Sequence, residues 1–446
     1  MHWIDIKLPE PGIHPQMDKL MSAALGKMAR IAEIQARDGL DASSMLGVFS
    51  AVGQDLFHAV TAFDPEAFSP DRSSEDGPAL HLGDSEHDKL RGYHIVTDPE
   101  VVDLPWNWLH NGVGFLLEKH PITTGTSISQ MPGKSTQRPW MQRFLRSEYL
   151  IGDDGSSDLK AILPQLRPQN TARPQMFFVP GHTDRKLRRL IYREAEAIQG
   201  ALSSGCHGEL LADMEIQADP ITPNDLYERG FMYQALHFAG PTSLPATLDD
   251  AKGEYWMNQL INERRAEAKV DVESQFGLEG EILGVDPITS LLDDVTEKYE
   301  LNGPPVEVPA IQHSISQNGP AQPPVAVNKP QKSWLLDDGP VDPASLSRAG
   351  LLPPMIFSNS FCALPELGQH FVKAGASAFV GPVVPLFSRP ARIFASHFYK
   401  AFGQGWSVGA AVWQASNKCR REFGDEHPVW LSYGVQGYGS LALPYL

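Results

Sequence analysis

The sequence predicts an α/β fold, a mainly parallel sheet with helices on both faces, preceded by a helical N-terminal segment. Three observations lead there. Short apolar runs such as YHIVTD, QMFFVPG and ASAFVGPVVPLF read as strands buried on both sides. They alternate with helical stretches, as strand-helix-strand units do. The chain has 446 residues, 42% of them hydrophobic, enough to bury a large core in one big domain or two ordinary ones.

Along the chain, Met17, Leu20, Met21, Ala24, Leu25, Met28, Ile31 and Ile34 recur at three- and four-residue intervals, which predicts an amphipathic helix from Gln16 to about Ala36. A second helix follows, with Asp41 as N-cap and Met45, Phe49, Val52, Leu56 and Val60 along one stripe. Residues 1–65 thus read as a helical N-terminal segment, either a module of its own or a layer on the main domain. Residues 66–88, rich in Pro, Ser, Asp and Glu, read as a linker or loop.

Residues 89–446 carry the strands. The run QMFFVPG leads to a helix from Leu187 to Leu202; MYQALHFAG, PPMIFSNS and ASAFVGPVVPLF come later, the last feeding a helix from Ala391 to Phe402. Between Leu244 and about Lys332 the alternation lapses. A charged helical stretch (GEYWMNQLINERRAEAKVDVE) and a short helix near Ile288 to Leu301 give way to NGPPVEVPAIQHSISQNGPAQPPVAVNKPQ, which has little to bury. This is an irregular insertion between two core strands.

Composition excludes several classes of function. No apolar run approaches the roughly 18 residues of a membrane span, and MHWIDIKLPEPG lacks the regions of a signal peptide, so a cytoplasmic location without membrane contact is expected. Cys206, Cys362 and Cys419 have no metal-ligand spacing and form no disulfide framework. A net charge of −17 argues against nucleic acid as the main partner, although Arg185, Lys186, Arg188 and Arg189 could meet an anion. Neither an internal repeat nor a common nucleotide, zinc-protease or hydrolase signature is present. No cofactor or metal is expected.

Catalysis in an open parallel sheet sits beyond the carboxyl ends of the strands. Two such ends carry candidate groups, His237 to Pro241 and Ser358 to Cys362. A cysteine nucleophile needs a nearby imidazole to supply thiolate and backbone N–H groups to hold the oxyanion, here near Gly240 and Cys362. Against this, a lone histidine in an apolar run is usually a satisfied core residue, and a lone cysteine a small hydrophobe. His182, in VPGHTD at a third strand end, is a substitute base. Trp106 and Trp108 read as packing rather than a groove, Asp98 and Asp103 as turn and cap residues, and His313 as solvated.

From about Arg91 onward the chain resembles the CHAT domain, a family of caspase-like and separase-like cysteine peptidases. The blocks HIVTDPEVVDLPWNWLHNGVGFLLEKHPIT, YREAEAIQGAL, MYQALHFAGPTS, WLLDDGPVDPASLSRAGLLPPMIFSNSFCAL and FVKAGASAFVGPVVPLFSRPARIFASHFYKAFGQGWSVGAAVWQA match in order. The resemblance implies a caspase-like sheet and a His-Cys dyad. It also implies altered dyad positions. The family's catalytic histidine is the second of HFAGHG, where this sequence has Pro241, and His237 matches the first, a buried strand residue. Proline offers neither an ionisable group nor an N–H. An ungapped match puts Phe361 at the nucleophile position and Cys362 one residue later, on the opposite face unless a bulge intervenes.

Three functions follow as expectations. The first is a catalytically silent regulatory or protein-interaction component of a bacterial defence or cell-death system. The second is an active cysteine endopeptidase using Cys362 with His182 or His237. The third is a small-molecule sensor built on the cationic patch. A protein partner or peptide substrate is expected in the first two.

Overall fold

The computed structural model describes residues 2–10, 12–24, 27, 42–69, 91–99, 101–126, 175–181, 185–203, 213–216, 222–229, 233–240, 242, 333–336, 339–341, 352–360, 363–384 and 388–441. Their main feature is one sheet built from β1 (His2–Lys7), β2 (Arg91–Thr97), β3 (Ile122–Thr126), β4 (Gln175–Pro180), β5 (Asp213–Ile216), β6 (Ala235–Ala239), β9 (Met355–Asn359), β10 (Ala378–Pro382) and β11 (Tyr433–Gly437). A separate hairpin pairs β7 (Trp334–Leu336) with β8 (Gly339–Val341).

The sheet order is β1-β2-β3-β11-β10-β9-β6-β4-β5. Strands β5, β4, β6, β9 and β10 run parallel to one another, as do β1, β2, β3 and β11. The two blocks meet in a single antiparallel pairing, β10 with β11. The sheet is therefore mainly parallel, and the carboxyl ends of its two blocks lie at opposite edges.

Seven helices are described: α1 (residues 15–24), α2 (Ala42–Phe63), α3 (Arg185–Ser203), α4 (Pro223–Arg229), α5 (Gln369–Lys373), α6 (Ser388–Gly403) and α7 (Val408–Phe423). Helices α3, α6 and α7 cover one face, with α6 packed between the other two. On the opposite face lie α2, α5 and the β7-β8 hairpin, where Phe371 of α5 touches both Phe379 of β10 and Trp334 of β7. With both faces covered, Phe177, Phe178, Val179, Leu236, Phe238, Ile356 and Phe357 are all buried, as the unbroken apolar runs required. The predicted stripe of α2 is the buried one: Met45, Phe49, Val52, Leu56 and Val60 all face the core.

The N-terminal segment differs from expectation in one respect. It opens with a strand, HWIDIK, paired along its length with β2. The alternation that makes it a strand is short but clean, Ile4 and Ile6 buried, Asp5 and Lys7 exposed. The helices behind it share the core with the sheet. Met1–Ala246 and Lys332–Leu446 form one compact unit, and Thr247–Gln331 the other. That second unit, which covers most of the insertion expected at 244–332 and includes His313, lies outside the described residues, as do residues 70–88 of the linker expected at 66–88. Thr242 and Trp334 pair as an antiparallel bridge, so the chain leaves for the insertion and returns from it at neighbouring points. No helix among the described residues is long and apolar enough to cross a membrane.

A candidate active site at the strand ends

Strands β6 and β9 are parallel neighbours in register from Ala235↔Met355 to Ala239↔Asn359. Adjacent strands lie about 4.8 Å apart. The segments beginning at Gly240 and Ser360 therefore leave the sheet side by side. On the other flank of β6, β4 ends at the same level, with Pro180 opposite Ala239. There Gly181 and Gly240 touch: a Cβ on Gly240 would lie 2.5 Å from the Cα of Gly181, and one on Gly181 would lie 2.8 Å from the Cα of Gly240. Only glycine permits this approach, which sets the chain at Gly181 against the exit of β6.

His237 sits three residues back from Gly240, roughly 10 Å along the strand, and is fully buried. Its ring is sandwiched between Phe178 of β4 and Phe357 of β9, with centroids 5.0 and 4.9 Å away and planes within 7° and 14° of parallel. Nε2 is 2.8 Å from Oε1 of Glu194 on α3, and Nδ1 is 3.1 Å from the hydroxyl of Tyr399 on α6. The same Glu194 oxygen accepts a 2.6 Å hydrogen bond from Nδ2 of Asn359, the last residue of β9. The Tyr433 hydroxyl donates to Oδ1 of Asn359.

Chemistry assigns the protons. A carboxylate oxygen accepts, so Nε2 is the donor to Glu194, and Nδ1 pairs with the Tyr399 hydroxyl. Burial, with the Glu194 charge behind it, pushes the Tyr399 hydroxyl well above its ordinary value, so it stays a donor. Tyr433 is pushed up in the same way, by burial first, then by Glu194 and Cys419. Both nitrogens and both ring faces of His237 are thus occupied, and it has no free lone pair for a nucleophile.

The opposite face of these strands is also pinned. Trp334 of β7 stacks on Phe238 at 4.5 Å and donates from Nε1 to Oγ of Ser358 at 2.9 Å, which lies 2.7 Å from Oγ of Ser360. The hairpin thereby walls one side of the strand ends. Past Ser360 the chain enters helical backbone at Ala363, continuing through the turn Leu364–Gly368 into α5.

The other predicted residues fall as follows. Gly240 is at the site, in the contact described. His182, Pro241, Phe361 and Cys362 lie outside the described residues, as do Cys206 and the side chains of Arg185 to Arg189. Cys419 is buried on α7, and burial followed by the Glu422 charge pushes its thiol far up, which makes it inert. Trp106 and Trp108 are core residues, their indoles donating to the carbonyls of Val101 and Leu431, with Phe49 stacked on Trp108 at 3.9 Å. Asp103 accepts from Gln436 at 2.9 Å. Among the described residues no group of three or more His, Cys, Asp or Glu could hold a metal ion.

Sequence reasoning missed Glu194, Asn359, Tyr399 and Tyr433. A signal for the first was present. On α3, Ile191, Ala195, Ile198, Ala201 and Leu202 form the buried stripe, and Glu194 falls in phase with it. A carboxylate at an apolar helical position is one that has a buried partner.

No family model matches this chain, and no curated protein does. Among solved structures it is similar to the Arg-specific cysteine proteinase gingipain R (RgpB), with 7% identity and a TM-score of 0.40 over 99% of this chain and 78% of that one. The complex of the Porphyromonas gingivalis RgpB pro- and mature domains gives 7% identity and a TM-score of 0.41 over 99% and 79%.

Proposed function

We propose that this chain is a CHAT-like, caspase-type domain that engages a protein partner without cutting it, as a silent regulatory or interaction component of a bacterial defence or cell-death system. The observation that carries this reading is the state of His237. Strands β6 and β9 are neighbours in register, so the segments that resemble the family's His and Cys positions start side by side. The imidazole described between them is spent in the core network. Four residues further on, where the family places its base, Pro241 has no group to offer a thiol.

A second reading, an active endopeptidase, is favoured by the Gly181–Gly240 contact. That contact starts the His182 segment beside the exit of β6. In this reading His182 takes the Cys362 proton, the thiolate attacks a peptide carbonyl, and N–H groups near Gly240 and Cys362 hold the oxyanion. The imidazolium then returns its proton to the departing amine, and water hydrolyses the thioester.

Labelling with a peptidyl acyloxymethyl ketone series, read by intact mass, separates the two. The silent reading expects no adduct at Cys362 beyond the level given by a plain alkylating agent. Peptide-dependent labelling that disappears in both Cys362→Ala and His182→Ala would overturn it in favour of the peptidase.

A further inference from the structure

Asn111, Asn302 and Asn318 each precede a glycine in this chain, and the first of them stands in a tightly bonded turn among the described residues. Residues 110–115 join the short turn Trp106–Trp108 to the next, Leu116–Glu118. His110 N–H donates to the carbonyl of Gly53 on α2, and Asn111 N–H to that of Gly114. Asn111, Gly112 and Val113 are exposed, so water reaches the tip. At Gly112 φ is +90°, which glycine adopts without strain, and no Cβ crowds its nitrogen.

Two sets of contacts bear on the side-chain amide of Asn111. Its Oδ1 accepts from the N–H groups of Val113 and Gly114, each at 3.0 Å. Donors so placed draw electron density from Cγ and stabilise negative charge on that oxygen, as in an oxyanion hole. The N–H of Gly112 donates to Nδ1 of His110 at 3.0 Å. A backbone N–H can only donate, so Nδ1 carries the lone pair. Nε2 of Gln54 on α2 lies 3.4 Å from the same nitrogen, and Phe115 meets the imidazole edge to face at 4.8 Å. Burial lowers the pKa of this ring, outweighing the pull of Glu118 and of a backbone bond, so it is a free base at neutral pH.

These are the parts of an intramolecular acyl transfer. We propose that Asn111 is a self-modification site, at which the Gly112 nitrogen displaces the side-chain ammonia of Asn111 with His110 as the base. Nδ1 of His110 takes the Gly112 proton as the nitrogen bonds to Cγ, and the charge moving onto Oδ1 meets the Val113 and Gly114 N–H groups. Collapse breaks the Cγ–Nδ2 bond, and the imidazolium returns its proton to the departing ammonia. Water then opens the cyclic imide at one of its two carbonyls, giving aspartate or isoaspartate. Either product adds a negative charge at the tip, and isoaspartate also inserts a backbone carbon into the turn.

Peptide mapping by mass spectrometry follows the conversion of Asn111 in the full chain at neutral pH. The references are the synthetic peptide LHNGVGF and the urea-unfolded chain, which carry the same histidine without its placement. Conversion in the folded chain should be about tenfold faster than in either, a modest share of what a positioned base contributes. His110→Asn offers an amide oxygen in place of Nδ1 but no base, and should remove that advantage. The two references use the unaltered sequence, so they decide the matter even where the variant is unstable. The proposal falls if folded Asn111 converts no faster than the peptide, or if His110→Asn with an unchanged thermal midpoint converts at the original rate. Aspartate without isoaspartate would mean direct hydrolysis and would overturn the cyclic route.

Discussion

Replacing Glu194 with alanine removes the acceptor shared by Nε2 of His237 and Nδ2 of Asn359. The His237 donor then stays buried, since its ring is fully enclosed between Phe178 and Phe357, while the amide of half-buried Asn359 loses its carboxylate partner. Each stranded donor costs about 1–3 kcal/mol. The pair, with the cavity left by the truncated side chain, predicts a loss of about 3–5 kcal/mol. Glu194→Gln keeps a carbonyl acceptor at much the same place and gives up only the charge assistance, about 1–2 kcal/mol. The exposed Glu196 on the same helix is the control, and Glu196→Ala should stay within about 0.5 kcal/mol. Urea unfolding followed by tryptophan fluorescence measures all three. The reasoning fails if Glu194→Ala is no worse than Glu196→Ala, or if the Gln and Ala variants are equally unstable, because the carboxylate would then not be holding the two strands.

The strand-end glycines give a second test: Gly240→Ala drives a Cβ into the Gly181 backbone and should cost about 1–3 kcal/mol or more, whereas Gly200→Ala on α3, with nothing within 4 Å, should stabilise by about 0.5–1 kcal/mol. Stability should also fall with acid. His94, His110, His120 and His427 all have pKa values lowered by burial. In the unfolded chain these rings take up protons near pH 6.5 while the folded ones resist, so stability is full above about pH 6.5 and declines below it toward the folded values. A thermal midpoint that is flat between pH 7 and pH 5 would contradict this. Finally, because Thr242 and Trp334 are bridged, exchanging residues 244–331 for a short Gly-Ser linker should leave the circular dichroism and cooperative unfolding of the remaining unit intact. Loss of cooperativity would show that the two units depend on each other.

What the sequence revealed, and what it hid, follows from how far each feature reaches along the chain. The central strands and α2 were legible because burial leaves a local mark, unbroken apolar runs in the first case and a 3.6-residue stripe in the second. Strand β1 was hidden because HWIDIK is six residues long and only two of them, Ile4 and Ile6, show the alternation. Its partner β2 lies more than eighty residues away, and parallel pairing writes nothing local into either segment. The reversal of direction between β10 and β11 was hidden for the same reason. At the site, His237 could be placed on a strand from MYQALHFAG, yet its partners come from α3, α6, β4 and β9, separated from it by 43 residues in the case of Glu194 and 162 in that of Tyr399.

The core network also changes what the HFAG run means. A histidine in that motif invites a catalytic reading, but here its ring joins Phe178 and Phe357 into one stack and its two nitrogens tie α3 and α6 to the sheet. Those ties do not depend on what stands at position 241. Loss of His237 would cost stability whatever residue stands at 241, so selection on folding alone would keep this histidine. Under the CHAT-like reading proposed above, the two histidine positions of the motif would answer to different pressures, packing at 237 and chemistry at 241. Replacement of His237 by glutamine should lower stability, with any effect on partner binding no larger than that loss accounts for, whereas Pro241→His should leave stability near that of the unaltered protein and bear on thiol reactivity alone. On the proposed reading, Pro241→His raises the alkylation rate of Cys362 near neutral pH, and an unchanged rate counts against a dyad built on these two positions.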